Sequence, residues 1–461
     1  MRIGKTITND KGIILVAGIM FLALLTIIGS TAYMLSSTDV TISANYKDTD
    51  MAFNDAEAGV HFAKAAIEAS LNAGAYLPAN VGDIMAVPGT IPSGFSFSYS
   101  TMEKTGDNAY TYTSTGHGSQ GATAEIEVAF RRKSAFEYAV FGRDQIDLKN
   151  STGVFSYNST DGAPDPGDGT WDISNPAHDL LYSTHNGDVG SNGNADGSND
   201  IILQNGSIVD GDVVQGAAGS PLVEAAIMDN GGTVTGENDS IGPVEVDPLN
   251  IAGDPNFLNK FASYDTPAEN DNNLLTPTAE ITTINDNVTL IGKSGGANYY
   301  FTDISLGNGK VMVIDAAAGP INIWVRGRMV GANGSDFNII NTSSNNKVTI
   351  NVTEPLGGCG CATLIDFKNN GDFNPNGSPT EVMIKTDSTK TVSIHNGDVT
   401  KAVIYAPFAH VDFDNGSAIY GSVRGATVSL RNSMKLYYDE AIKNAFLANE
   451  IDFTTWQQVL H

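Results

Sequence analysis

Two acidic, glycine-rich stretches of the sequence carry the side chains best suited to bind a divalent cation. They span residues 161–172 and 186–200 and are rich in aspartate and asparagine. Asn192, Asn194 and Asp196 have the spacing that opens an EF-hand calcium loop, but Leu203 occupies the position of its closing glutamate. These three residues are therefore weak calcium candidates in solvated loops, and we expect no other metal or cofactor.

Other catalytic chemistry has little support in the residue pattern. The seven histidines are scattered, and no zinc spacing, nucleophile elbow or phosphate-binding loop occurs. A bridge between Cys359 and Cys361 would close a very small ring, and no further cysteine completes a metal site. We interpret this pair as a local feature of one loop. Acidic residues could supply a carboxylate pair for polysaccharide cleavage, but we expect no enzyme.

The composition predicts a mainly β, turn-rich protein with a negatively charged surface. The chain has 461 residues with 41% hydrophobic and only 17% charged residues, and it contains 49 glycines. This balance is typical of short strands joined by tight turns. The formal net charge of −27 would repel a phosphate backbone, so we exclude nucleic acid as a partner.

An uncharged segment near the N-terminus predicts a membrane-crossing helix. Residues 13–35 are long enough to span a bilayer, and the preceding residues include Arg2, Lys5 and Lys11. The positive-inside rule leaves this basic end in the cytoplasm and places the rest of the chain outside. A cleaved signal peptide, a plain membrane anchor and a prepilin segment are the three alternatives.

The residues that follow this segment favour a single continuous helix. Residues 36–73 contain no proline and one glycine, and Gly74 and Pro78 then end the pattern. Apolar residues recur at helical spacing, namely Phe53, Ala56, Val60, Ala63, Ile67 and Leu71. A cleavable signal peptide would not continue in this way.

Residues 10–29, "DKGIILVAGIMFLALLTIIG", and residues 44–60, "ANYKDTDMAFNDAEAGV", resemble the N-terminal region of PilX-type minor pilins. The family motif falls on Ala44, Asn45, Ala52, Phe53, Ala56, Glu57, Ala58 and Gly59. The resemblance implies cleavage by prepilin peptidase between Gly12 and Ile13 and methylation of the new terminus at Ile13. It also implies an inner-membrane precursor that joins other pilins at an assembly platform and reaches the cell surface in a pilus.

One position departs from the usual pilin pattern. Most pilins have a glutamate at the fifth mature residue, where it pairs with a neighbouring subunit's terminal amine inside the membrane. The residue here is Ala17. An ionised group in lipid is costly unless it is paired, so its absence favours a subunit at the filament tip, with no subunit ahead of it.

The rest of the chain divides into a small sheet and a large β region. Strands predicted over residues 95–102, 110–116 and 122–132 complete a pilin unit that ends near Lys133. From residue 134, short β-prone pieces alternate with asparagine–glycine corners, which favours a solenoid. Residues 299–306, 403–425 and 436–442 of this region resemble the bactofilin-like, polymer-forming β-solenoid domains that are fused to PilX-type pilins. A helix over residues 439–449 is expected to cap the last coil.

We therefore predict a mainly β protein with a long N-terminal α-helix, a small antiparallel sheet and a large β-solenoid. The segments are a leader (1–12), a transmembrane half-helix (13–35), the rest of the pilin unit (36–133) and the solenoid with its closing helix (134–461). The predicted function is that of a minor pilin or pseudopilin, which presents the solenoid for pilus assembly or for adhesion to a surface or glycan. The alternatives are a membrane-anchored adhesin or structural protein and, third, a polysaccharide-acting enzyme.

Overall fold

The computed structural model divides into two compact units, residues 1–133 with 448–461 and residues 134–447. The residues that it describes are 10–72, 77–78, 81–106, 108–134, 136–160, 183–193, 200–216, 227–240, 251, 271–275, 283–355, 357–395 and 399–459. The predicted fold class is confirmed, since a long helix, a small antiparallel sheet and large parallel sheets are all present.

The first unit begins with one uninterrupted helix, α1 (Asp10–Asn72). Its predicted apolar stripe packs on a sheet. Ala56, Val60, Ala63, Ile67 and Leu71 are buried, as is Ala52, whereas Phe53 is half-buried. The sheet strands are β1 (Ile84–Ala86), β2 (Phe97–Tyr99), β3 (Thr101–Gly106), β4 (Ala109–His117) and β5 (Thr123–Ser134). Alternate residues of β4 and β5 are buried, which is the period-two pattern of strands. The strand predicted over residues 95–102 is instead divided between β2 and β3.

The second unit begins with strands that stack in parallel as successive coils. They are β6 (Val140–Lys149), β7 (Gly153–Tyr157), β8 (Val189–Ser191), β9 (Ile201–Gln204), β10 (Ile208–Val209), β11 (Val213–Gln215), β12 (Ile227–Asn230), β13 (Thr233–Val234) and β14 (Asn238–Ser240). β6 pairs with β8, β8 with β11 and β11 with β14. Each coil therefore covers the apolar face of the one before it.

A second series of coils follows residues 241–282. Its strands are β15 (Thr283–Ile284), β16 (Val288–Ile291), β17 (Ala297–Phe301), β18 (Asp303–Leu306), β19 (Val311–Asp315), β20 (Ile321–Arg326), β21 (Met329–Gly331), β22 (Asp336–Ile340), β23 (Val348–Thr353), β24 (Thr363–Phe367), β25 (Val382–Thr386), β26 (Thr391–His395), β27 (Val399–Asp414), β28 (Ala418–Arg431) and β29 (Lys435–Asp439). Two 3-10 turns, Asn272–Leu274 and Pro379–Glu381, accompany them.

The order of the coils in space differs from their order in the sequence. Strand β28 of the last coils pairs in parallel with β6 of the first, and β29 pairs with β7. The stack therefore runs from β16–β18 to β28–β29 and continues through β6–β7 to β14. At the junction of β28–β29 with β6–β7, strands from opposite ends of the second unit's sequence pair directly. The chain enters and leaves this stack at neighbouring levels.

An asparagine ladder crosses this seam. The side-chain amide of Asn205 donates to Asn150, and that of Asn150 donates to Asn432, each at 2.9 Å. All three residues have positive φ, between 53° and 61°, a backbone state that asparagine tolerates better than most residues. The asparagines from which turns were predicted thus also form hydrogen bonds between the coil of β28 and the coil of β6.

The edge of the stack at β17, opposite to the end formed by β14, is covered by a short turn. Asp271 and Asn272 exchange four hydrogen bonds of 2.8–3.0 Å with the backbones of Asn298 and Tyr300 in β17. The side chains of this short turn thereby occupy the groups that would otherwise pair with another strand. An edge treated in this way is protected against edge-to-edge association.

The end of the chain corrects the predicted closing helix. The helix α2 is only four residues long (Ile442–Ala445), and it is followed by β30 (Leu447–Val459). β30 pairs with β5 in the sheet of the first unit, so residues 448–461 do not belong to the solenoid. The alternation of apolar and polar residues after Phe446 is a strand signal, and the prediction of a helix was wrong.

Candidate assembly surface

The N-terminal half of α1 is an exposed apolar rod. Every residue from Ile13 to Leu35 is exposed, and Ile13 itself is 70% exposed. No charged side chain lies between Lys11 and Asp39. By length and composition, α1 is able to cross a membrane. Exposed apolar area of this extent calls for lipid or other apolar helices as its surroundings.

The C-terminal half of α1 carries the motif residues, and the structure divides them by role. Ala52, Ala56 and Gly59 are buried against the sheet, whereas Asn45 is exposed. The remaining motif residues are half-buried, namely Ala44, Phe53, Glu57 and Ala58. The small residues of the motif therefore mark the face along which the helix approaches the sheet.

Three hydroxyl groups of the sheet bond the helix backbone directly. Tyr99 donates to the carbonyl of Gly59 at 2.9 Å, Ser114 to that of Ala56 at 2.8 Å and Tyr112 to that of Val60 at 3.3 Å. Burial raises the pKa of Tyr99 to about 12, so the phenol stays a donor throughout the physiological range. These contacts hold the helix at one height and rotation on the sheet.

Gly59 and Gly116 allow the close approach that these bonds require. A Cβ atom on Gly116 would lie 1.9 Å from the carbonyl oxygen of Ala52, and one on Gly59 would lie 2.2 Å from the Ser114 Oγ. Neither distance is compatible with a side chain. Gly59 belongs to the motif, whereas Gly116 was read in the sequence only as the end of a strand.

Asp48 is a residue of this surface that the sequence analysis missed. It is only 4% exposed, and it accepts hydrogen bonds from the Ser119 hydroxyl and from the backbone N–H groups of Gln120 and Ala122. The N–H of Gln120 is the main cause that holds the pKa of Asp48 below 3.8. Asp48 lies one helical step before Ala52 on the buried stripe, and an acid at such a position was the available signal.

We expect Asp48→Asn to lower the thermal unfolding temperature of the full chain at pH 7. The folded-state pKa of Asp48 is depressed, so its carboxylate stabilises the fold above pH 3.8, and this contribution is lost as the pH falls through the folded value. The difference between the variant and the native protein should therefore shrink below pH 4. Asp50→Asn, at an exposed position of the same helix, is the control, and an equal loss there would contradict the assignment.

The strand β30 adds a second set of contacts to the same helix. The backbone N–H of Ile451 donates to the Glu68 carboxylate at 3.2 Å, and Lys64 lies over the Phe453 ring at 5.6 Å. His61 and Trp456 make an edge-on ring contact. The last residues of the sequence thus help to hold the helix on its sheet.

The second unit carries a ladder of acidic corners. The N–H of Asp212 donates to the Asp188 carboxylate at 2.9 Å, 24 residues earlier, and the N–H of Glu237 donates to Asp212 at 2.8 Å, 25 residues earlier. The sequence "HNGDV" occurs twice, at residues 185–189 and 395–399. Its first copy supplies Asp188 to this ladder, and residues 396–398 of the second copy lie outside the described residues. These carboxylates accept backbone N–H groups of the next coil and so fix the register between coils.

The structure places only part of the calcium candidate. Asn192 follows β8, whereas Asn194 and Asp196 lie outside the described residues. Within the part of the chain that the structure describes, no group of three His, Cys, Asp or Glu side chains is arranged to hold a metal ion.

The two cysteines are joined, which the small ring had argued against. Cys359 and Cys361 form a disulfide in the loop between β23 and β24. The glycines around them supply the backbone conformations that close the ring, and the pair is indeed a local feature of this loop.

Two family comparisons match separate parts of the chain. Residues 11–61 match the PilX N-terminal family, and this match supports a PilX-type pilin N-terminus. Residues 262–445 match a domain of unknown function, DUF7305, which leaves the likeness to polymer-forming solenoids as a prediction. No curated protein and no solved structure matches the chain.

Proposed function

We propose that this chain is a minor pilin of a type IV pilus or a related assembly machine. The observation that carries the proposal is the division of α1 into an exposed apolar half and a half fixed on a small sheet. The match of residues 11–61 to the PilX N-terminal family supports the same function. A rod of this kind first sits in the inner membrane and then packs among the helices of other pilins.

Processing of the leader precedes assembly in this proposal. Prepilin peptidase cuts between Gly12 and Ile13 and removes a segment with the basic residues Arg2, Lys5 and Lys11. The new amine at Ile13 is methylated, and the inner-membrane platform then transfers the subunit to the growing filament. The mature chain becomes exposed at the cell surface.

The absence of an acidic side chain at the fifth residue of the mature helix favours a position for this chain at the filament tip. Ala17 cannot neutralise the terminal amine of a neighbouring subunit, and an unpaired charge in an apolar helix bundle costs several kcal/mol. A subunit at the tip has no neighbour ahead of it and avoids this cost. The solenoid is then presented outward, where its long parallel faces are available to a surface or a glycan.

Replacing Gly12 by valine is expected to block maturation. The mass of the native protein recovered from the cell surface should correspond to a chain that begins at Ile13, whereas Gly12→Val should keep Met1 and stay in the membrane fraction. Gly29→Val is the matched control, because a Cβ there meets nothing within 4 Å and lies far from the cleavage point. A surface protein with an intact leader would favour a plain membrane anchor.

Loss of the chain also separates assembly from adhesion. A deletion strain should make fewer filaments if the chain primes assembly at the tip, as counted by electron microscopy. A strain with normal filaments but weaker attachment to surfaces would show that adhesion is the main role.

A further inference from the structure

The loop between β23 and β24 holds the two cysteines of the chain. The Cys359–Cys361 disulfide joins residues two apart in the sequence, and the chain has no third thiol that could exchange with it internally. Both side chains are half-buried, and both border the apolar core of the solenoid. The two cysteines thus lie between the apolar core and the solvent.

Glycines close the ring between the two cysteines. Gly357, Gly358 and Gly360 have φ values of 97°, 81° and 59°, which most other residues adopt only with strain. Gly360 lies between the two cysteines and turns the chain so that the two sulfur atoms meet. The loop is therefore shaped in advance for the bond to form and to re-form.

Stabilisation of the fold is a poor explanation for this bond. In the chain-entropy account, a disulfide stabilises a protein according to the length of the loop that it closes, and this loop is nearly the shortest available. Other bonds already fix the segment: Ser388 donates to Glu354 at 2.7 Å, and the N–H of Thr391 donates to Ala362 at 3.1 Å. The disulfide therefore adds little to the stability of a segment that these hydrogen bonds already fix.

The loop also treats its two sulfur atoms differently. The backbone N–H of Cys361 donates to the Sγ of Cys359 at 3.3 Å. A hydrogen-bond donor of this kind stabilises negative charge on sulfur, so Cys359 is the better leaving thiolate when the bond opens.

We propose that Cys359 and Cys361 form a thiol–disulfide exchange site for an external dithiol. A thiolate of the dithiol attacks the Sγ of Cys361; the Cys359–Cys361 bond breaks, and its electron pair leaves on Cys359. The second thiolate of the dithiol then attacks the mixed disulfide and releases Cys361 as a thiolate. The dithiol is oxidised to a disulfide, the two cysteines are reduced, and two protons pass from the dithiol to the cysteines.

The first test measures how easily the full chain in detergent is reduced. The protein is equilibrated with mixtures of reduced and oxidised glutathione or dithiothreitol, quenched in acid and alkylated. The intact mass, measured by mass spectrometry, then gives the fraction of chains in which the disulfide is reduced. We expect the bond to open in glutathione mixtures, and reduction should shift the thermal unfolding midpoint by less than about 2 °C. If the disulfide resists excess reduced glutathione, or if its reduction lowers the thermal unfolding midpoint by about 10 °C, the disulfide serves to stabilise the fold and the proposal is overturned.

The second test compares the two single-cysteine variants. Cys361→Ser keeps the backbone N–H beside Cys359, whereas Cys359→Ser leaves Cys361 without this donor. We expect iodoacetamide to alkylate the first variant at least tenfold faster at pH 6.5, with its pH profile displaced to lower pH. Equal rates and equal profiles would contradict the assignment of Cys359 as the leaving thiolate.

Discussion

Replacing Gly116 by alanine is expected to detach α1 from its sheet. The new Cβ would lie 1.9 Å from the Ala52 carbonyl oxygen and 2.4 Å from the Ala56 nitrogen. Both atoms belong to a helix backbone and cannot move aside as a flexible side chain could. Overpacking of this severity costs about 3 kcal/mol, which is a large part of the stability of a small unit.

The loss should be visible in the helix itself. Displacing α1 would also break the Ser114 and Tyr112 hydrogen bonds to its carbonyl groups. We expect the variant to be cut by protease within residues 48–71 under conditions in which the native chain resists. Hydrogen exchange of the amides of β4 should rise as well.

Gly106→Ala is the matched control for this substitution. A Cβ on Gly106 would make an ordinary contact of 3.5 Å with the Cβ of Ala109, so the change in stability should stay within about 0.5 kcal/mol. Equal protease sensitivity in the two variants would show that the helix does not depend on the close approach at Gly116.

Replacing Ile451 by aspartate is expected to release the last strand. Ile451 is fully buried in the core that α1 forms with its sheet. The substitution removes an apolar side chain and buries a carboxylate beside Glu68, which already accepts the N–H of residue 451. The combined cost should be roughly 4 kcal/mol.

This prediction tests whether the chain needs its end to complete the first unit. Two quantities are measured: the thermal unfolding midpoint of the first unit and the hydrogen-exchange rates of the β5 amides. The first unit is monitored separately because the two units need not unfold together. Thr454→Asp, at an exposed position of the same strand, should leave both observables unchanged. If both variants behave like the native chain, β30 contributes little to the stability of this sheet.

The sequence predicted the elements whose periodicity is strong. The stripe from Ala56 to Leu71 identified the buried face of α1, and the strands predicted over residues 110–116 and 122–132 correspond to β4 and β5. Asparagine and glycine at regular corners indicated coils rather than a sandwich. Each of these signals is local, so it can be read without knowing which elements become neighbours.

The features that were missed depend on neighbours far apart in the chain. β30 joins β5 across the whole second unit, and the pairing of β28 with β6 puts the last coils next to the first. The roles of Asp48 and Gly116 likewise exist only once helix and sheet meet. The sequence motif was recognised as a family signature. The reason for its small residues, a helix that lies almost in contact with the sheet backbone, is visible only in the three-dimensional structure.

The pairing of β28 with β6 has a consequence for how the chain folds as it is synthesised. The face of β6 that β28 covers stays open until the residues between them, 150–417, have been synthesised. Both units are therefore completed late in synthesis. The coil of β28 must form before β6 is paired on that side, and β30 must form before the sheet under α1 is complete. A chain whose synthesis stops early would thus expose two incomplete surfaces, and we expect quality-control proteases to degrade it readily.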